Sequence, residues 1–172
     1  SLAATTYAVT AGTAALTAGT TFTGTSGTAS GNITLDAVGN STVGAVTSSA
    51  GTVDLEVTAG TLNTGAVNGA ALVLKSSGNL STGALTSTGT NINAQSTAGS
   101  VALASARANK GLVANANTTL AVTTYTVNDG AAALTAGTTF TGTSGTASGN
   151  ITLDAVGNTS VGAVTSSAGT VD

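Results

Sequence analysis

The stretch Val53-Asp54-Leu55-Glu56-Val57 alternates apolar and charged residues, with the apolar side chains at the odd positions. The same alternation occurs in Asn32-Ile33-Thr34-Leu35-Asp36 and in Leu72-Val73-Leu74-Lys75. Period-two alternation bounded by Gly, Ser, Asn and Thr is typical of a strand with one buried face. No stripe with a period of 3.6 residues is long enough to indicate a helix. The sequence therefore predicts an all-β fold.

Two interleaved series of apolar residues recur about every 20 residues. Two strands and two turns in each step describe one coil of a β-solenoid, whose identical columns stack at about 4.8 Å. Eight to nine coils would form a rod about 40 Å long. The first series is Ile33, Val53, Leu72, Ile92 and Leu112, resumed at Ile151 and Val171; the second is Val43, Leu62, Leu80, Val101, Leu120, Phe140 and Val161.

These series assign a direction to each side chain in the first strand type. Two columns should face the core, and a third column should face solvent with Glu56 beside Lys75 on the neighbouring coil. A shift of one residue would exchange the faces. The predicted inward columns are Ile33, Val53, Leu72, Ile92 and Leu35, Leu55, Leu74, Ala94; the predicted outward column is Asp36, Glu56, Lys75, Gln95.

A much longer repeat contains the short one. Residues 1–54 return as 119–172, with 46 of the 54 positions identical and eight different. We therefore interpret 1–172 as a single solenoid segment, with one 118-residue unit at 1–118 and a partial second unit at 119–172. Six coils would separate the copies, a translation of about 28 Å. Because Asp172 is the counterpart of Asp54 inside a predicted strand, we expect this chain to be a window on a longer array.

The composition fits a thin solenoid and excludes several other classes. The chain has 24 Gly, no Pro, Cys, Met, Trp or His, only 2% aromatic and 5% charged residues, and a net charge of −3. A narrow core needs Val, Ile, Leu and Ala, while tight corners need Gly or Asn. Without cysteine there can be no disulfide framework and no zinc-thiolate site. Three basic residues, Lys75, Arg107 and Lys110, are too few for nucleic-acid binding, and no apolar run approaches 18 residues, so we expect no membrane insertion.

The acidic residues do not indicate an active site. A catalytic pair needs two carboxylates at a fixed separation in a cleft, whereas Asp154 and Asp172 merely repeat Asp36 and Asp54. The glycine- and aspartate-rich nonapeptide of calcium β-rolls is missing. We therefore predict no catalytic, cofactor-binding or metal-binding residue. The six acidic residues are Asp36, Asp54, Glu56, Asp129, Asp154 and Asp172.

Two surface motifs suggest binding without catalysis. Thr21-Phe22-Thr23 and Thr23-Gly24-Thr25 fit the Thr-x-Thr spacing of ice-binding β-helices, but the outward column Thr34, Asp54, Val73, Asn93 interrupts the array that ice binding needs. Surface threonine is also explained by its preference for strands. The second motif is the sequon Asn-x-Ser/Thr, which would permit surface glycans. It occurs at Asn32, Asn40, Asn79, Asn117, Asn150 and Asn158.

Several runs resemble the haemagglutinin-type repeat of filamentous haemagglutinin-like large exoproteins, which bacteria export by two-partner secretion. The resemblance covers nearly the whole chain and implies a right-handed parallel β-helix, a secreted or cell-surface location, and a stalk or adhesive role. The runs are Ser30-Gly31-Asn32-Ile33-Thr34-Leu35, Val43-Gly44-Ala45-Val46, Gly51-Thr52-Val53-Asp54-Leu55, Leu62-Asn63-Thr64-Gly65-Ala66-Val67 and Gly78-Asn79-Leu80-Ser81-Thr82-Gly83-Ala84-Leu85.

The sequence thus favours a structural stalk or filament segment without enzymatic activity. Its partners would be neighbouring copies of itself in a longer array, and host or surface glycans. Two alternatives remain open: a binding module whose repeated face holds a carbohydrate or ice, and a cross-β fibre in which separate chains stack. Coiling of one chain explains the 20-residue period, whereas stacking of separate chains does not require it.

Overall fold

The computed structural model describes all residues from Ser1 to Asp172 and is a β-solenoid built only of parallel strands. The chain passes nine times through a long sheet A and eight times through a shorter sheet B, with about 20 residues in each coil. The predicted solenoid is confirmed. None of its elements is a membrane-spanning helix.

The strands of the two sheets alternate along the chain. Sheet A contains β1 (Leu2–Val9), β3 (Phe22–Ala29), β5 (Ser41–Ser48), β7 (Leu62–Thr64), β8 (Val67–Gly69), β10 (Leu80–Ser87), β12 (Val101–Ala108), β14 (Thr119–Val127), β16 (Thr139–Ala147) and β18 (Thr159–Ser166). Sheet B contains β2 (Ala14–Ala18), β4 (Ile33–Ala37), β6 (Thr52–Val57), β9 (Ala71–Ser76), β11 (Asn91–Ser96), β13 (Gly111–Ala116), β15 (Ala132–Ala136) and β17 (Ile151–Ala155).

Sheet B has the register that the alternating pattern predicts. Val53 of β6 pairs with Ile33 of β4 on one side and with Leu72 of β9 on the other. All eight predicted inward side chains are buried and belong to one continuous cluster of 37 hydrophobic residues along the rod. The prediction for both inward columns is therefore confirmed, because one buried face fixes the register of every strand.

The strands of sheet A are bent, which the predicted coil of two strands and two turns did not include. In β5, Val43 and Val46 both face the core, while Gly44 and Ala45 between them do not. The coil therefore has three inward-facing segments, and at the same bend β7 and β8 are separate strands. The bend requires close backbone approach, since a Cβ on Gly44 would lie 1.6 Å from the carbonyl oxygen of Thr25.

Two members of the second predicted series are assigned to the wrong column. Leu62 pairs with Ser41 rather than with Val43, and Phe140 pairs with Thr159 rather than with Val161. Both valines occupy the next inward position, two residues further along the strand. The physical reason is that the two positions share the same parity, so their apolar residue can change place between coils. A pattern defined only by apolar residues moves with that residue from one column to the other, and so it assigns Val43 and Val161 to the wrong column.

Residues 1–54 and 119–172 form corresponding strands in the same order. Strand β14 follows β1 after six steps across sheet A. The pairing of Leu2 with Phe22 recurs as the pairing of Leu120 with Phe140. The two copies are therefore stacked along the same rod, six coils apart.

Buried serines satisfy backbone groups at the corners, where the ladders are interrupted. The Ser48 hydroxyl donates to the carbonyl oxygen of Gly31 on the preceding coil at 2.7 Å and accepts from the backbone N–H of Gly51 at 2.7 Å. Ser166 makes the same two contacts in the second copy. Buried polar groups need such partners, so these serines fasten each corner to the coil beneath it.

Candidate functional site

The outer face of sheet B contains the most concentrated charge of the molecule. Glu56 lies between Asp36 and Lys75 in register, and Gln95 follows Lys75 on the next coil. The predicted outward column is therefore confirmed. Lys75 nevertheless forms no ion pair with Glu56. The single ion pair of the structure joins Lys110 and Asp129 at a corner.

Asp54 belongs to the adjacent outward column, and its carboxylate is poorly hydrogen-bonded. One of its carboxylate oxygens, Oδ1, is buried and has no hydrogen-bond partner. Burial raises the pKa of Asp54 above its ordinary value; the ammonium of Lys75 lowers it, and the carboxylates of Glu56 and Asp36 raise it further. The net direction is upward because burial is the largest of these effects.

A shallow groove of about 160 Å³ opens beside this charged column. It spans three successive coils, at the ends of β6, β9 and β11. Two columns of polar side chains form its sides, and Val57 is its only hydrophobic lining residue. The first column is Glu56, Lys75 and Gln95; the second is Thr58, Ser77 and Thr97 in the following turns.

The first column of the groove has unused hydrogen-bonding capacity. Glu56, Lys75 and Gln95 are half-buried, and none of the side-chain hydrogen bonds of the structure involves them. By contrast, the hydroxyl of Ser77 accepts from the backbone N–H of Gly60 at 2.8 Å. The groove therefore presents a carboxylate, an ammonium and an amide on three successive coils, and a ligand could use all three.

The remaining acidic residues are dispersed. Asp154 repeats Asp36 at the other end of the rod, and Asp129 lies at a corner, where the hydrogen bond and the charge of Lys110 lower its pKa. No group of three or more acidic side chains is arranged to hold a metal ion.

The structure also reveals a threonine column that the sequence analysis missed. It lies on the outer face of sheet A, in the half of each strand that follows the bend. The Thr-x-Thr motifs considered in the sequence lie before the bend of β3, and the column tested for a regular array lies on sheet B. The signal was available as threonines 19 or 20 residues apart, but the register was not. In order, the column contains Ala8, Thr28, Thr47, Asn68, Thr86, Arg107, Thr126, Thr146 and Thr165.

This column is not the regular array that ice binding requires. Asn68 and Arg107 interrupt it, so at most three threonines, at 126, 146 and 165, follow one another without a break. Arg107 also places a charge in the middle of the face. The face provides β-favouring hydroxyl groups to solvent, and ice binding remains an untested alternative.

Four of the six sequon asparagines have a structural role at the corners. The side-chain oxygens of Asn32, Asn40, Asn79 and Asn150 each accept from a backbone N–H on the next coil, at 2.9 to 3.1 Å. Each asparagine therefore fastens a corner in the way that Ser48 does. All four asparagines are exposed residues, and surface glycans stay a prediction.

All four aromatic residues face the interior. Tyr7 and Tyr125 each lie over a glycine of the next coil, and the hydroxyl of Tyr125 is buried without a partner. Burial raises the pKa of Tyr125 to about 12. The outer faces consequently have no aromatic surface on which a sugar ring could stack.

Comparisons of this chain with protein-family models, with curated proteins and with solved structures found no match.

Proposed function

We propose that the protein is a structural segment of a stalk or filament in a secreted or cell-surface bacterial adhesin-like protein, and that its role is mechanical rather than catalytic. The observation that carries this proposal is continuity. Parallel ladders run through every coil of both sheets, and one hydrophobic cluster follows the whole rod. In such a solenoid each coil is stabilised by its neighbours, so length can be added without a new core.

The internal repeat supports the same role. Because 1–54 and 119–172 take the same place in successive units, further 118-residue units would extend the rod in the same direction. Neighbouring copies in such an array would be its principal partners. The resemblance to haemagglutinin-type repeats supports export to the cell surface, and contacts with host or surface glycans would belong to that setting.

The test is the length of tandem proteins. We expect each added 118-residue unit to lengthen the particle by about 28 Å at constant cross-section, measured by small-angle X-ray scattering. The cross-sectional radius serves as the internal control. A particle that becomes wider or more compact with each added unit would contradict the structural proposal.

Location needs a separate measurement. We expect an antibody against this segment to label intact cells of the source organism, or to detect the protein in the culture medium. A protein found only after cell lysis would contradict the surface or secreted location while leaving the rod itself unaffected.

A further inference from the structure

The groove beside the charged column differs in two respects from the other hollow of the surface, which lies on sheet A, measures about 230 Å³ and is lined by four hydrophobic and three polar residues. The groove has a polar lining, and it contains Lys75, the only cation on the outer face of sheet B. Its central residues belong to the part of the 118-residue unit that occurs once in this chain. The groove is therefore a single place on the rod rather than a feature of every coil.

The unpaired groups of the groove restrict the chemistry of its ligand. Glu56 can only accept hydrogen bonds, Lys75 can only donate them, and the amide of Gln95 can do both. A pair of neighbouring hydroxyl groups satisfies such a set, because one hydroxyl can donate to the carboxylate while the other accepts from the ammonium. Gln95 would then bind a third hydroxyl, one coil further along.

Charge and size restrict the ligand further. Asp36 and Asp54 lie next to Glu56, so carboxylates outnumber the single ammonium on this face and disfavour an anionic ligand. The groove of about 160 Å³ is below the volume of roughly 300 Å³ at which sites for drug-sized ligands begin. One small ring fits these limits.

We propose that the groove of Glu56, Lys75 and Gln95 is a binding site for one neutral sugar ring with vicinal hydroxyl groups. Because no aromatic side chain lies at the surface, the ring has no stacking partner and the affinity for a single sugar is low, with a Kd on the order of 10 mM. An array with one such groove in each 118-residue unit would bind a surface polysaccharide through many weak contacts. The site does not depend on the structural role proposed above.

The experiment is a titration of the ¹⁵N-labelled protein, followed by amide chemical shifts. The probes are the methyl pyranosides of glucose, galactose and mannose, with cyclohexanol as a ring without a hydroxyl pair and glucuronate as an anionic sugar. We expect saturable shifts at residues 56–58, 75–77 and 95–97 with at least one methyl pyranoside, no saturation with cyclohexanol, and weaker binding of glucuronate.

Variants connect the shifts to the side chains. Lys75→Ala and Glu56→Gln should each weaken binding about tenfold, because the first removes a charged hydrogen-bond donor and the second replaces a charged acceptor by a neutral amide. Lys110→Ala is the matched control, since it removes the same charge at a corner outside the groove. If Lys75→Ala alters the amide spectrum as a whole, Lys75→Gln takes its place.

Three results would overturn the site. They are the absence of saturable shifts with all three methyl pyranosides up to about 100 mM, shifts outside the groove, or shifts that Lys75→Ala leaves unchanged. Preferred binding of glucuronate would also overturn the assignment of a neutral ligand. Since the length of tandem proteins does not enter this titration, the failure of either proposal can be recognised separately.

Discussion

Residues 33–54 and 151–172 are nearly the same sequence in two different surroundings. Val53 is fully buried, whereas its copy Val171 is 51% exposed; Val43 is 2% exposed and its copy Val161 is 42% exposed. The local sequence does not explain this difference, because the two stretches differ only in that Ser41 and Thr42 are replaced by Thr159 and Ser160. Val53 is covered by Leu72 of the next coil, and no coil lies over Val171. Burial in this fold is therefore provided by the neighbouring coil.

At the opposite end of the rod, burial also depends on the neighbouring coil. Leu120 is fully buried and Tyr125 is 4% exposed, while their copies Leu2 and Tyr7 are only half-buried. Each copy is well packed where coils lie on both sides of it and loosely packed where a coil lies on one side only. Stability should accordingly depend on position in the stack, as in other repeat proteins. Matched substitutions in the two copies can test this dependence.

The largest difference in stability between the two copies should follow from a charge placed in the hydrophobic cluster. Leu35 is buried between Leu16 and Leu55, so Leu35→Asp should lower the free energy of unfolding by about 4 kcal/mol or more. Leu153→Asp, the same change in the second copy, should cost about 1 kcal/mol, since its side chain is only half-buried. Urea unfolding followed by circular dichroism measures both. Equal losses would show that position in the stack does not control stability.

A smaller difference should arise where a tyrosine ring lies over a glycine. A Cβ on Gly145 would lie 1.9 Å from Cζ of the buried Tyr125, and one on Gly27 would lie 1.8 Å from Cζ of Tyr7. Gly145→Ala should destabilise the protein by about 1–3 kcal/mol. Gly27→Ala should cost less, because Tyr7 is half-buried and can move away.

A double substitution isolates the cause of this loss. Tyr125→Leu removes the ring, so adding Gly145→Ala to it should cost clearly less than Gly145→Ala alone. Thermal unfolding of the two single variants and the double variant gives the coupling. Strictly additive losses would mean that the clash with the ring is not the reason.

The serines at the corners should show a still smaller difference. Ser48→Ala leaves the carbonyl oxygen of Gly31 and the N–H of Gly51 without their partner inside the rod, at a cost of about 1–2 kcal/mol. Ser166→Ala breaks the same contacts in a more exposed corner, where water can replace the hydroxyl, and should cost less. Hydrogen exchange at the amides of Gly51 and Gly169 reports each corner separately. Water as the replacement predicts two results together. After the matched substitutions Gly169 should exchange faster than Gly51, and Ser166→Ala should lower the stability less than Ser48→Ala does.

The fold could be predicted from the sequence wherever one parity is strictly apolar. In β4, β6 and β9 the alternation allows only one register, and both the buried columns and the outward Glu56 and Lys75 follow from it. The bend of sheet A could not be predicted in this way. At Gly44 and Ala45 the alternation changes parity within one strand, and small residues give no apolar signal for either face.

The candidate groove could be predicted only in part. The order Glu56, Lys75, Gln95 follows from the register alone. That Lys75 is not paired with Glu56, and that Thr58, Ser77 and Thr97 form a second column beside them, depends on the path of the turn after each strand. The threonine column of sheet A was missed for a related reason, since its register follows from the bend.

The smallest effect concerns Asp54 and its pH dependence. Burial raises the pKa of Asp54 above 3.8, so the folded protein holds this proton at a pH where the unfolded chain has released it. The stability should therefore fall as the pH rises through the interval between the two pKa values, and the ionised form should remain less favourable at every higher pH. Asp54→Asn removes both the charge and this dependence.

We expect Asp54→Asn to raise the free energy of unfolding at neutral pH by only about a few tenths of a kcal/mol, because solvent screens a carboxylate that is partly exposed. Below the unfolded pKa of about 3.9 the variant and the parent should be equally stable. Asp154→Asn is the control, since it removes a carboxylate from an exposed position of the second copy. Urea midpoints measured between pH 3 and pH 7 check the sign. A variant that is less stable than the parent at neutral pH would mean that the Asp54 carboxylate is favoured by the charge of Lys75 more strongly than it is disfavoured by burial.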